Sequence, residues 1–509
     1  MKIFHKKLYV LIFLLSGLLA TGQTTRSFIG DSLDNYINKA LDTWKIPGIA
    51  VCVVRDGQVI LSKGYGVCES GKNDKVDENT LFMIGSNTKA FTATAVAMLA
   101  TDHKCTLDDK VKKWVPKFTT RDPWIAEHAT LTDVLCHRLG TETFQGDFTF
   151  FDSDLSSNEI IEKYGKLTPL YEFRTKWGYC NTGFLIAGTA IKSISGMSWE
   201  KYIKSKFFEP LQMDRSLALV SEIGKADNKA KAHTLVDNKI VVIPYGKFDG
   251  LAPAASICSS VNDMSHWVMA LLDSGNYHHK NVIPYDAILA TREPKSIIGD
   301  ARQPFNRSNF TLYGLGWELQ DYEGRKIVMH TGGVDGFVTS VTLIPEEGLG
   351  IVVLTNTDQN YFYEALKWEI LDACLNLPFR NYSKLYNNYF RQNTMYDQAE
   401  IQSKRDSVAI KPALPLSQAA FEGTYQNEVY GTIALTKDGD TFKLGFQHHK
   451  DLSAKLEYMG NNRFLCTYSN PLFGIKVFPF VVEDNKVKSF TLSVADFLEY
   501  TTYEFEKVK

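Results

Sequence analysis

Apolar and polar positions recur along this chain with two different periods, and each change of period marks a new part. From Ser32 to Trp44 the residues Leu33, Tyr36, Ile37, Ala40, Leu41 and Trp44 fall on one helical face, and Pro47-Gly48 ends the segment. The runs Ile49 to Val54 and Val59 to Ser62, divided by Asp56-Gly57, predict a hairpin. A helix-rich middle follows, with apolar helical segments from Ser86 to about Leu99 and from Leu185 to Ile194. After His330 the pattern returns to strands, Phe337 to Ile344 and Leu349 to Thr355 around Pro345-Glu346-Glu347-Gly348, and a helix runs from about Tyr361 to Leu377. Either strand pair alone would leave an apolar face in water, so the two are expected in one antiparallel sheet covered by helices.

Asn381 to Pro415 is polar and rich in Asn, Tyr, Gln and Lys, with helical stretches, and reads as a connector. From Phe421 onward short strands are broken at Gly431, Asp438-Gly439, Gly460-Asn461-Asn462 and Glu483-Asp484-Asn485, which predicts a small closed or nearly closed barrel. Its Tyr425, Tyr430, Phe442, Phe446, Phe464 and Tyr468 are expected as core rather than as a ligand surface. The fold class is therefore α+β followed by an all-β module. The boundaries expected are a signal peptide at 1–22, a catalytic domain at 23–378, a connector at 379–415 and a β domain at 416–509.

Composition narrows the class of partner. The 509 residues are 44% hydrophobic and 22% charged, ordinary globular values for two or three modules. A formal charge of −2 offers nothing to attract a phosphate backbone, so no nucleic acid is expected as a partner. Lys2, His5, Lys6 and Lys7 precede the apolar run Leu8 to Ala20, and Ala20-Thr21-Gly22 supplies small residues before Gln23. That is a secretory signal pattern, and it predicts a periplasmic or secreted protein with no stable membrane span in the mature chain. The eight cysteines contain no CxxC and no metal-ligand spacing, so no metal site is expected; export permits bridges, but buried thiols fit their apolar surroundings equally well.

The chemistry begins at Ser86-Asn87-Thr88-Lys89. At the start of a helix, positions 86 and 89 lie one turn apart on one face, where a Lys amine reaches a Ser hydroxyl. A hydroxyl is a weak nucleophile until a base takes its proton, and a partly buried lysine with a pKa of roughly 7–8 is such a base. A capped helix with a solvated lysine has the same pattern, so the pair needs company. Tyr179-Cys180-Asn181 stands just before an apolar helix, and His330-Thr331-Gly332-Gly333 opens the late hairpin with two glycines that let a backbone approach closely. One nucleophile, candidate bases and a glycine-lined strand edge together describe an acyl-transfer site.

In that order and spacing, 93 residues from Ser86 to Tyr179 and 151 from Tyr179 to His330, the chain resembles the serine β-lactamase and D-alanyl-D-alanine carboxypeptidase superfamily. Within it the likeness is to class C-like serine hydrolases of the S12 peptidase type, which include D-aminopeptidases and esterases. Ile46 to Ala50, Leu131 to His137, Leu251 to Ser256, Tyr313 to Trp317, and Gly336-Phe337 through Thr355-Asn356 carry it further, over about residues 27 to 375. The resemblance implies a β-lactamase/transpeptidase-like sheet flanked by helices, an all-helical subdomain and a lipocalin-like tail. It implies Ser86 as nucleophile, Lys89 as its proton acceptor or electrostatic activator, Tyr179 as sharing base duty and shuttling a proton to the leaving group, and Asn181 as a substrate or lysine ligand. His330, Thr331, Gly332 and Gly333 would line the substrate strand, with the N–H groups of Ser86 and Gly333 as the oxyanion hole and no cofactor.

His330 replaces the lysine of the penicillin-binding proteins' Lys-Thr-Gly triad, which weakens carboxylate recognition and favours esters or D-residue amides over lactams. The expected partner is a small-molecule or peptide substrate, peptidoglycan-derived peptides included. β-Lactamase or D,D-carboxypeptidase action, and a non-catalytic envelope-binding role, are the alternatives. In related hydrolases such a tail restricts the entrance or mediates assembly, which leaves a homo-oligomer open.

Overall fold

The computed structural model describes residues 28–299, 305 and 308–508, and the expected signal segment lies outside the described residues. Helix α1 (Leu33–Trp44) buries Leu33, Ile37, Ala40 and Trp44 and stops where Lys45 enters the left-handed region at φ 55°. Strands β1 (Gly48–Arg55) and β2 (Gln58–Gly66) form the expected hairpin. Helices α2 (Thr88–Thr101), α3 (Asn181–Ser195) and α4 (Val261–Leu272) then occupy the middle. Six further strands follow: β3 (Ser296–Gly299), β4 (Thr311–Tyr313), β5 (Glu318–Tyr322), β6 (Arg325–Val334), β7 (Phe337–Ile344) and β8 (Leu349–Thr355).

These eight strands make one antiparallel sheet in the order β2-β1-β8-β7-β6-β5-β4-β3. The early and late hairpins are joined through β1 and β8, with Ile49 opposite Thr355 and Arg55 opposite Leu349. Successive side chains of a strand point to opposite faces, and at the central strands β1, β7 and β8 both faces are dry. Ala50, Cys52 and Val54 enter the core under α2 and α4, whereas Ile49, Val51 and Val53 enter a second core with α1 and α5 (Phe362–Cys374). That is why β1 reads as an unbroken apolar run rather than an alternating one.

The expected connector is a single 28-residue helix, α6 (Tyr382–Ala409), rather than a chain with helical stretches. It buries Tyr382 and Tyr386 in its first turns and is otherwise solvated, so it carries no apolar stripe by which a sequence would reveal it. Beyond it, β9 (Gly423–Asn427), β10 (Gly431–Asp438), β11 (Thr441–Phe446), β12 (Ser453–Gly460), β13 (Arg463–Tyr468), β14 (Ile475–Glu483), β15 (Lys486–Leu492) and β16 (Tyr503–Lys507) close into a barrel. The six aromatics expected in its core are all buried.

The barrel is docked against the helical region. Phe148 stacks on Tyr430 and His449 at ring separations of 5.0 and 5.5 Å. His449 Nε2–H donates to the Phe151 carbonyl at 2.9 Å, and its Nδ1 accepts from Tyr430 Oη–H. All eight cysteines are buried free thiols. No helix among the described residues is long and apolar enough to cross a membrane.

Candidate active site

Ser86 sits on a 3₁₀ turn, Gly85–Asn87, that runs directly into α2. Every residue of α2 from Thr88 to Leu99 is buried, so the helix carries Lys89 into the interior with it. Lys89 is 0% exposed, and burial lowers its ammonium to about 7, against a smaller opposing pull from Asp147. Its Nζ lies 2.9 Å from Ser86 Oγ, 2.7 Å from Asn181 Oδ1 and 2.9 Å from the Ala254 carbonyl.

This partner set decides where the amine's lone pair goes. A neutral amine has two N–H donors and one lone pair, while the Asn181 and Ala254 oxygens only accept. They take the two donors, and the lone pair is left facing Ser86 Oγ–H. The Tyr179 ring covers the amine at 4.7 Å and the Phe184 ring at 5.4 Å. Burial raises the Tyr179 phenol well above its ordinary value, and a hydrogen bond with the Ser86 side chain partly offsets this. Ser86, Lys89, Tyr179 and Asn181 are thus brought together.

Strand β6 closes the other side. It pairs with β7 through Val334 but with β5 only to Met329, so among the described pairings His330 to Val334 has a partner on one edge alone. The Ser86 turn packs against this stretch on the face that Gly332 shares with its cross-strand partner Thr339, which leaves the other edge unpaired. A Cβ on Gly85, which sits at φ 55°, would stand 3.0 Å from Gly333 N, and one on Gly332 would stand 2.0 Å from the Ile84 carbonyl. Only glycine allows the two backbones to approach so closely. Asn87 Nδ2 and Thr339 Oγ1 lock the turn to the sheet, at 2.9 Å from each other, with Thr339 donating to the Ile84 carbonyl.

Strand alternation sorts the four β6 residues. Thr331 and Gly333 are partly accessible, while His330 and Gly332 are buried. His330 is enclosed by its own neighbours. Its Nδ1–H donates to the Thr331 carbonyl at 2.6 Å, which leaves Nε2 to accept from Tyr313 Oη–H at 2.9 Å. Burial, aided by the Lys89 charge, lowers it to about 3, so it is a neutral ring with both nitrogens occupied. It supplies neither a cation nor a free donor to a substrate carboxylate.

Several residues outside the expected set complete the site. His137 Nδ1 accepts the Cys180 N–H at 2.9 Å and its ring lies 4.3 Å from that of Tyr179, which fixes the phenol's plane. Asp147 Oδ2 accepts from Asn181 Nδ2 at 2.6 Å. Phe497, from the barrel, lies 3.2 Å from where a Gly333 Cβ would be. Ala254 and His137 belong to segments that carry the family likeness. Asp147 and Phe497 stand in segments without any chemical signature.

A family model described as beta-lactamase matches residues 33–374. The chain belongs to the beta-lactamase family. The family is one of serine hydrolases related to penicillin-binding proteins, and Ser86 and its neighbours lie within the matched span. Unguisins hydrolase ungD' of Aspergillus campestris (strain IBT 28561) is 28% identical over 439 residues, 80% of this chain and 79% of the relative. Protein flp of Staphylococcus aureus (strain MRSA252) is 28% identical over 335 residues, 65% of this chain and 63% of the relative. The octameric penicillin-binding protein homologue from Pyrococcus abyssi superposes with a TM-score of 0.60 at 23% identity, covering 93% of this chain and 99% of its own. A likeness of that extent takes in the barrel as well as the sheet, and it shows the fold.

Proposed function

We propose that this beta-lactamase family member is an acyl-enzyme hydrolase of esters or D-residue amides and peptides, with Ser86 as nucleophile. The observation that carries the reading is the 2.9 Å contact of Ser86 Oγ with an amine whose donors are consumed by two acceptor-only oxygens. In the forward step Lys89 takes the Ser86 proton as Oγ bonds to the substrate carbonyl carbon. The carbonyl oxygen becomes an oxyanion between the N–H groups of Ser86 and Gly333. Tyr179, beside Ser86, gives its phenol proton to the leaving group and regains one from the Lys89 ammonium, which returns both to their starting states, and water then cleaves the acyl-enzyme by the same route in reverse. Asn181 holds Lys89, and Thr331 with the free edge of β6 receives the substrate backbone.

Ester or amide chemistry is favoured over lactam chemistry because the neutral, enclosed His330 cannot anchor a carboxylate. The likeness to the Aspergillus hydrolases supports hydrolysis as the outcome. We further assign residues 23–378 to the catalytic domain, 379–415 to a connector and 416–509 to the barrel. We also propose export, supported by the Lys2 to Gly22 pattern, and a homo-oligomer, supported by the likeness to the octameric homologue.

The test is intact-protein mass spectrometry of the wild type and Ser86→Ala after exposure to a fluorophosphonate, a p-nitrophenyl ester and a penicillin. The reading requires added mass mapped to Ser86 with the fluorophosphonate and the ester. Folded protein that gains no mass from any of the three reagents would overturn it in favour of a binding role.

A further inference from the structure

The barrel reaches the catalytic lysine through a chain of hydrogen bonds. Glu499, in the segment between β15 and β16, is 1% exposed and buried against the helical region rather than inside its own barrel. Its Oε1 accepts the Gly146 N–H at 2.9 Å and its Oε2 accepts the Phe148 N–H at 2.8 Å. Tyr503 Oη–H donates to Oε2 at 2.9 Å, and the Thr501 hydroxyl donates to Oε1. The two amides it grips flank Asp147 on either side. The chain enters this short helical turn, Asp147–Phe150, with Phe144 at φ 63° and Gly146 at φ 97°, and the Glu499 carboxylate binds the amides at its start alongside the turn's own backbone bonds.

Asp147 in turn decides which way the Asn181 amide faces. With Nδ2 donating to Asp147 Oδ2 at 2.6 Å, Oδ1 is turned to Lys89 Nζ at 2.7 Å. A flipped amide would aim a donor at the amine, engage its lone pair and leave none for the Ser86 proton. We propose that Glu499 is a positioning residue for the Ser86 site, acting through the Gly146–Phe148 backbone and Asp147 on the Asn181–Lys89 pair. The barrel is then part of the active site's wiring and not only its neighbour. This inference rests on the acyl-enzyme reading of Ser86.

Charge travels along the same path and supplies a readout that mere support would not move. Asp147 faces Glu499 and Tyr503 from the barrel, Lys89 from α2, and Tyr179, Cys180 and Asn181 from the segment opening α3. Burial, and then the Glu499 charge, hold the Asp147 carboxyl well above its usual range, and burial pushes Glu499 itself up to about 7, so that charge is present in full only above neutral pH. An ionised Asp147 would draw the Lys89 ammonium upward. Glu499→Gln therefore lets Asp147 ionise more readily, raises Lys89, and moves the acid limb of acylation to higher pH.

The experiment measures fluorophosphonate acylation of Ser86 against pH in the full chain, normalised to active sites titrated at completion. Glu499→Gln is expected to move the acid limb to higher pH, with acylation slowed most around and above the midpoint, where Glu499 carries its charge in the wild type. In Asp147→Asn/Glu499→Gln the upward move is expected to vanish. Should Glu499→Gln not fold, Tyr503→Phe replaces it, since losing that donor also weakens the Glu499 charge and predicts a smaller move in the same direction. An unmoved limb in a folded variant, at whatever rate, overturns the proposal. Absence of labelling in the wild type overturns instead the reading of Ser86 on which it rests.

Discussion

The two large β structures among the described residues each contain eight antiparallel strands, but one is an open sheet and the other a closed barrel. In the open sheet β6 outruns its pairing with β5, and its unpartnered stretch, His330 to Val334, lies against Ser86. In the barrel every strand has two neighbours and the interior is filled by rings such as Phe478, Phe480, Phe490 and Phe505. Closure removes the backbone edge that a substrate would use, so the barrel can act on the chemistry only through what it projects outward. It projects Phe497 onto Gly333 and Glu499 onto the backbone around Asp147. The comparison teaches that an unfinished sheet makes a site, whereas a finished one makes a support.

The largest effects are expected on the open side. Ser86→Ala should abolish acylation, a loss of about 10⁴-fold or more read by labelling with a fluorophosphonate. Lys89→Met should approach it. Tyr179→Phe keeps the ring over Lys89 but removes the proton carrier, and ester turnover should fall by roughly 10²–10⁴-fold with KM little changed.

The sharpest contrast between the two β structures is a pair of glycines. Gly332→Ala puts a Cβ 2.0 Å from the Ile84 carbonyl and must push β6 away from the Ser86 turn, for a loss of about 10²-fold in acylation rate. Gly445→Ala, on the barrel strand β11, meets nothing within 4 Å and should leave the acylation rate unchanged and folding stability within about 0.5 kcal/mol of the wild type. Equal effects would break the distinction.

A smaller effect follows from keeping a lysine inside the catalytic half. Its pKa is about 7 in the folded chain against 10.5 for a solvated lysine, so between those values the unfolded chain binds more protons. Wild-type stability therefore rises with pH across that window, and the cost of burying Lys89 is greatest below it. In denaturant titrations Lys89→Met should be more stable than wild type at neutral pH, with the advantage shrinking by about 2 kcal/mol from pH 7 to pH 9.

What the sequence revealed follows the same division. The hairpins around Asp56-Gly57 and Glu347-Gly348 and the joining of their strands were legible because β1, β7 and β8 are long apolar runs. Strands β3, β4 and β5 span 4, 3 and 5 residues, and a run so short has no periodicity to read. α6 was hidden for the opposite reason, being long but without an apolar face. In the site, Ser86, Lys89, Tyr179 and Asn181 announce themselves by type and spacing, and the structure brings them together. His330 could not be placed by type, because its role depends on Tyr313 and the Thr331 carbonyl occupying its two nitrogens. Asp147 and Glu499 lie 352 residues apart, in segments with no motif, and only the docking of the barrel makes them neighbours.

The central claim is that a buried, neutral Lys89 is the base that activates Ser86. Its most direct test is the single-turnover rate of Ser86 acylation by an activated ester from about pH 5 to about pH 9, in wild type and Lys89→Arg. The rate is expected to rise through a midpoint near 7 in the wild type and to collapse in Lys89→Arg, whose guanidinium stays charged throughout. A flat profile with the label still on Ser86, or an arginine variant that acylates at the wild-type rate, would contradict it.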